Sequence, residues 1–167
     1  MNNNIKLDKI KFRWSTNFDK SKIKKNIIEN FGYFPIAEGA LKPVKNRYYL
    51  AFYENELIAL SGIIQNKSNF LGKEISWTCT NKNYRNLGIM TFLINKMISK
   101  IDGPIFCECW HFNENERINL FMPLSKNGFK PIEEGIYSYD KKYFKKCNEC
   151  CRKNECIGCK SDLWLRK

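Results

Sequence analysis

The 167-residue chain contains no run of 18 apolar residues, so no membrane-spanning helix is expected. Its first residues, Met1-Asn2-Asn3-Asn4-Ile5-Lys6, hold no apolar core of a secretory signal. The cytoplasm is therefore the expected compartment, where stable disulfides are rare. There is no internal repeat and no low-complexity linker, and histidine occurs once, as His111. Acidic residues are scarce beside basic ones, 17 against 29, for a formal charge of +12. With 14% aromatics and many Ile and Leu, disorder is excluded for most of the chain. A chain of this length can bury roughly two-thirds of its unfolded surface, which suits a single domain.

The charge is unevenly spread. Residues 1–46 carry 10 Lys/Arg against 4 Asp/Glu, residues 47–125 carry 8 against 7, and residues 126–167 carry 11 against 6. The basic ends attract anions: nucleic acid, acidic surfaces or a phosphorylated cofactor. General solubility accounts for them equally well.

Hydrophobic period gives the element order. Ile10–Trp14 alternates like a strand, and Asp19 stands where it would cap a helix over Lys20–Asn30, stopped by Gly32. Residues 32–46 read as a loop. Tyr48–Glu54 and Leu57–Gln65 form a hairpin pattern, and Glu74–Thr80 a third strand. Met90, Leu93, Ile94, Met97, Ile98 and Ile101 then give a helical stripe. Ile105–Trp110 reads as a strand, Glu114 to Lys126 as a helix interrupted at Pro123, Phe129 to about Tyr143 as a strand bulged near Gly135, and Ser161–Lys167 as a last strand. The expected class is α/β or α+β around one mixed sheet.

The chemistry concentrates where the strand Glu74–Thr80 passes through Asn81-Lys82-Asn83-Tyr84-Arg85-Asn86-Leu87-Gly88 into the helix opening at Ile89-Met90. A strand–turn–helix aims backbone N–H groups at one spot, and the helix dipole favours negative charge there. Gly88 permits close backbone approach, and Arg85 adds positive charge. The pattern fits a phosphate site. A glycine that merely packs at a helix start fits it too.

Arg85-Asn86-Leu87-Gly88-Ile89-Met90 resembles the R/Q-x-x-G-x-G/A pyrophosphate loop of the GNAT N-acetyltransferase superfamily. The loop opens an amphipathic helix, a strand follows, and Lys126-Asn127-Gly128-Phe129 is similar to the family's K-x-G-F. By element order the resemblance spans about residues 8–145, and its motifs lie in 74–129. It implies a mixed, mostly antiparallel sheet flanked by helices, with acetyl-CoA as co-substrate. It further implies that the backbone of Thr78, Cys79 and Thr80 hydrogen-bonds the pantetheine arm. N–H groups of Arg85, Asn86, Leu87, Gly88, Ile89 and Met90 would hold the pyrophosphate. Asn113 or Asn115 would touch the pantetheine, or instead cap the next helix. The implied acceptor is an amine on a small molecule or peptide.

The chain departs from the pattern in three places. Met90 takes the last small position of the loop, the helix before Gly128 contains Pro123, and Leu124 stands where many members carry a tyrosine acid. Glu74, eleven residues before Arg85, matches the base glutamate of the histone-modifying branch. On a regular strand it would share a face with Ser76, Thr78 and Thr80. A solvent-facing glutamate is the alternative. Glu108 and His111 are further candidates, each with a structural explanation as well.

Of the eight cysteines, Cys79, Cys107 and Cys109 read as buried hydrophobes. Cys147, Cys150, Cys156 and Cys159 form two CxxC pairs with Cys151 as a spare thiol. Such pairs can close a tetrahedral zinc site. Reduced thiols, disulfides or an iron–sulfur cluster remain open. The cluster would be an insertion in the last hairpin. Three functions follow: an acetyl-CoA-dependent N-acetyltransferase, a basic zinc-knuckle nucleic-acid-binding module, or a non-catalytic acyl-CoA-binding GNAT-like protein.

Overall fold

The computed structural model of the protein describes residues 5–37, 39–65, 72–111, 121–138 and 160–167. Ten elements follow in chain order: β1 (Lys11–Trp14), α1 (Lys20–Phe31), α2 (Phe34–Ala37), β2 (Tyr48–Tyr53), β3 (Glu56–Gln65), β4 (Lys73–Thr80), α3 (Ile89–Ile98), β5 (Ile105–His111), β6 (Lys130–Ser138) and β7 (Lys160–Arg166). Residues 121–125 are also helical. The strands make one seven-stranded sheet in the order β1-β2-β3-β4-β5-β7-β6. Every neighbouring pair is antiparallel except β4 and β5, which run parallel. The sheet is therefore mixed and mostly antiparallel, as expected.

Each face of the sheet is covered. On one face α1 lays Ile23 and Ile27 over Tyr48, Leu50, Leu60 and Cys79. On the other, Ile89, Leu93, Ile94, Met97 and Ile98 of α3 pack with Ala59, Ile75, Ile105 and Trp164. Four of the ten residues of α3 are β-branched, which weakens intrinsic helicity. Propensity differences are only about 0.7 kcal/mol per residue. Burying one such side chain contributes about 1.5–3 kcal/mol, so packing decides the outcome. The lysines of α1, by contrast, are exposed and form a solvated face.

Several expectations need correction. Residues 32–46 are not all loop, since Phe34–Ala37 form the short helix α2. Asp19 does not cap α1 with its side chain. Its carboxylate instead accepts from the Thr16 N–H at 2.7 Å and takes both arms of Arg13 at 2.7 Å each. That pairing holds the Asp19 carboxyl well below the usual carboxylate range, chiefly through the Arg13 hydrogen bonds. Helix α3 stops at Ile98, and Ile101 reaches the core from the following turn.

The main correction concerns β4. Its register with β3 shifts between Leu60 and Gly62: Cys79 faces Leu60, but Ser76 faces Gly62. One extra β4 residue lies in between, and Trp77 adopts φ 49°. This β-bulge reverses the alternation. Glu74 and Ser76 share the α1 face with Cys79, while Thr78 turns to the α3 face, where its hydroxyl meets Ser61 Oγ at 2.8 Å. Glu74 therefore does not share a face with Thr78 and Thr80. The bulge near Gly135 is present, as a register shift between Glu133 and Tyr137.

Candidate active site

Three features meet at one end of the sheet. First, β4 and β5 separate. Their pairing runs only from Lys73↔Ile105 to Ile75↔Cys107, although β4 continues to Thr80 and β5 to His111. Beyond Cys107, β5 stays paired with β7 on its other side. The β4 backbone past Ile75 thus turns an edge without a strand partner toward the opening.

Second, α3 begins beside that opening. Gly88 is its N-cap, with φ 74°, and as a glycine it brings no capping side chain. The positive φ calls for glycine, and among the described residues no atom beyond its chain neighbours lies within 4 Å of where a Cβ would stand. The first-turn N–H groups of a helix have no intrahelical partner, so this end offers donors and a positive dipole. The N–H of Arg85 is different. It closes the preceding turn on the Lys82 carbonyl at 3.5 Å. The Arg85 guanidinium also faces away, donating to Thr80 O at 3.1 Å and Asn30 Oδ1 at 2.9 Å. The donors at this helix start therefore come from Asn86 onward, and the Thr80 carbonyl is already in use.

Third, the α1 face carries carboxylates next to the opening. Glu74 is half-buried and pairs with Phe106 across the strands, which puts Glu108 on the same face two residues further along β5. Glu108 accepts from Ser161 Oγ at 3.0 Å. Burial pushes its carboxyl up, and the Ser161 bond partly opposes this. At the bulge, the Trp77 ring meets Phe31 of α1 edge-on at 6.1 Å. This face is the candidate acceptor side.

His111 lies on the opposite, α3 face, buried against the ring of Phe121. Its Nε2 stands 3.2 Å from Asp162 Oδ2, in contact but without hydrogen-bond geometry. Cys79 is buried, its Sγ donating to Asn26 Oδ1 at 3.0 Å, and burial raises its thiol strongly. Such a thiol is no nucleophile at neutral pH. Leu124 is a core residue and supplies no proton. Asn127 donates to Thr91 O at 2.9 Å and Pro123 O at 2.8 Å, which pins the helical turn of residues 121–125 to α3. Asn113, Asn115, Cys147, Cys150, Cys151, Cys156 and Cys159 lie outside the described residues.

Sequence reasoning passed over Asn26, Asn30 and Asn81, which link α1 to the loop, and Asp162 beside His111. A signal existed for the first. Asn26 falls between Ile23 and Ile27 on the buried stripe of α1, where a polar side chain needs a partner.

No family model matches the sequence, and no curated protein does. Solved structures are similar in architecture. A GNAT-family acetyltransferase from Bacillus cereus ATCC 10987 superposes with a TM-score of 0.63 at 14% identity, covering 95% of this chain and 96% of the other. This is the GNAT fold. One from Staphylococcus aureus Mu50 gives 0.58 at 17% identity, with 94% and 98% covered. The N-acetylglutamate synthase from Neisseria gonorrhoeae, complexed with coenzyme A and N-acetyl-glutamate, gives 0.56 at 12% identity over 94% of this chain. The chain spans 34% of that synthase and 48% of a Pyrococcus horikoshii protein proposed to be an acetyltransferase. At these identities the likeness establishes the fold alone. Among the described residues, no helix is long and apolar enough to cross a membrane.

Proposed function

We propose that the protein is an acetyl-CoA-dependent N-acetyltransferase. The observation that carries this reading is the end of β4–β5 pairing at Ile75↔Cys107 beside the start of α3 at Gly88. An extended pantetheine arm would add to the free edge of β4 as a strand adds to a sheet. The donors of Asn86 to Met90 would meet the pyrophosphate, with Gly88 leaving room. The coenzyme A seen with the Neisseria synthase supports the choice of donor.

The acceptor amine would approach from the α1 face, over Glu74, Ser76 and Trp77. Its nitrogen attacks the thioester carbonyl carbon. A C–N bond forms, the C–S bond breaks, and the sulfur leaves as thiolate. Glu74 takes the proton the nitrogen sheds, directly or through a water. Glu108, on the same face with a raised pKa, is the nearest alternative base. A second reading, an acyl-CoA-binding protein without catalysis, is favoured by the core position of Leu124, which leaves no tyrosine acid there. Incubation with acetyl-CoA and a panel of primary amines separates the two. Amine-dependent release of free thiol supports the enzyme. Binding of acetyl-CoA with no amine-dependent release over the whole panel supports the binder.

The two CxxC pairs are proposed, from their spacing, to hold one structural zinc ion, with Cys151 left out.

A further inference from the structure

Arg85 is the arginine of the loop, yet it is tied to α1. Its Nη2 donates to Asn30 Oδ1 at 2.9 Å while Nε donates to Thr80 O at 3.1 Å. Asn30 Nδ2 in turn donates to Asn26 O at 2.8 Å. Asn26 is buried; its Nδ2 donates to Leu57 O at 3.3 Å and to Asn81 Oδ1. Asn81 Nδ2 also donates to Leu57 O, at 2.9 Å. A chain of hydrogen bonds thus runs from two successive turns of α1 to both ends of the segment 81–85. Alongside lies a groove of about 540 Å³ lined by Lys22, Asn26, Asn30, Asn81, Lys82 and Arg85. On this side α1 and the loop meet through polar side chains rather than packed apolar ones.

Nε and one Nη2 N–H of the guanidinium are thus committed to protein oxygens, which ties the plane of the group to α1 and to Thr80. We infer that Arg85 is a positioning residue: through Asn30 and Thr80 it fixes the loop so that the start of α3 faces the pyrophosphate, instead of contacting the phosphate itself. The inference rests on the cofactor site proposed above.

Lysine separates the two roles of Arg85. It keeps the charge but cannot serve a carbonyl and an amide oxygen with one planar fork. Coenzyme A affinity, measured by titration calorimetry, should fall about 3- to 10-fold in Arg85→Lys and equally in Arg85→Ala, the loss expected when such hydrogen bonds are removed. Asn30→Ala should give the same loss, and the double variant no more than either. In the protein without ligand, Arg85→Lys and Asn30→Ala should speed amide exchange at residues 86–91. An Arg85→Lys variant that binds like wild type while Asn30→Ala is silent overturns the inference in favour of a direct phosphate contact. Unchanged exchange overturns it as well. Wild-type protein that binds no coenzyme A overturns the cofactor reading instead, and the exchange arm still decides whether the loop is tied to α1.

Discussion

Trp77 adopts φ 49°, and that angle decides which face of β4 each candidate side chain occupies. It brings Glu74 and Ser76 to the acceptor side and removes Thr78 from it. If Glu74 is the base, Glu74→Gln should lower kcat by about 100-fold and leave coenzyme affinity unchanged. The loss should shrink at high pH, where the amine is already neutral. Full activity of the variant at neutral pH would move the role to Glu108. Asp19 supports a pH prediction of a different kind. Its carboxyl is held low by Arg13, so the stability it contributes is complete above the ordinary aspartate value of about 3.9. That contribution is lost progressively as pH falls below this value. In thermal melts from pH 6 to about 2 the gap between wild type and Asp19→Asn should narrow below about pH 4 without closing, because the folded carboxyl loses its charge only at still lower pH. At neutral pH the variant should be about 1–2 kcal/mol less stable, since a charge-assisted turn is lost. A constant gap down to the acid end would contradict this. Residue types at the loop were legible in the sequence, but the direction of Arg85 was not. A charge next to a helix start suggests a phosphate partner until the competing acceptors, Thr80 O and Asn30 Oδ1, are placed by the fold.

At the scale of elements, most described strands and helices followed the hydrophobic periods, because each buries a face that its period marks; of the helix expected over Glu114 to Lys126 only residues 121–125 lie among the described residues, and there the helical turn runs through Pro123 without interruption. The β4 bulge was illegible for a physical reason. Ile75, Trp77 and Cys79 alternate perfectly in sequence, but both faces of the sheet are covered. Alternation therefore does not say which helix covers which residue. In the fold Ile75 serves α3 while Trp77 and Cys79 serve α1. The bulge leaves a mark on β3. A Cβ on Gly62 would lie 2.8 Å from Ser76 O and 2.9 Å from a ring carbon of Tyr48. Gly62→Ala should therefore destabilise the protein by about 1–3 kcal/mol in denaturant titration, through overpacking against backbone that cannot retreat. A stability equal to wild type would mean that β3 and β4 do not meet as described.

The whole molecule is a sheet opened between two strands, with basic segments at both ends of the chain. The opening was not legible in the residues, because a long-range strand separation has no local sequence signature. The connection between β6 and β7 carries the cysteine pairs. If they close on one metal, protein purified without chelator should contain about one equivalent of zinc, and its removal should lower the melting temperature. Less than about a tenth of an equivalent, with all five thiols of the cluster titrating freely in native protein, would exclude the site. The central claim is that the opening beside α3 receives acetyl-CoA. It is tested most directly by titrating coenzyme A into the wild-type protein and into Gly88→Glu, whose carboxylate would stand at the helix start. The account predicts one site per chain on the wild type, and none on the variant although it remains folded. No binding to the wild type at about millimolar ligand, or equal binding to both, would contradict it.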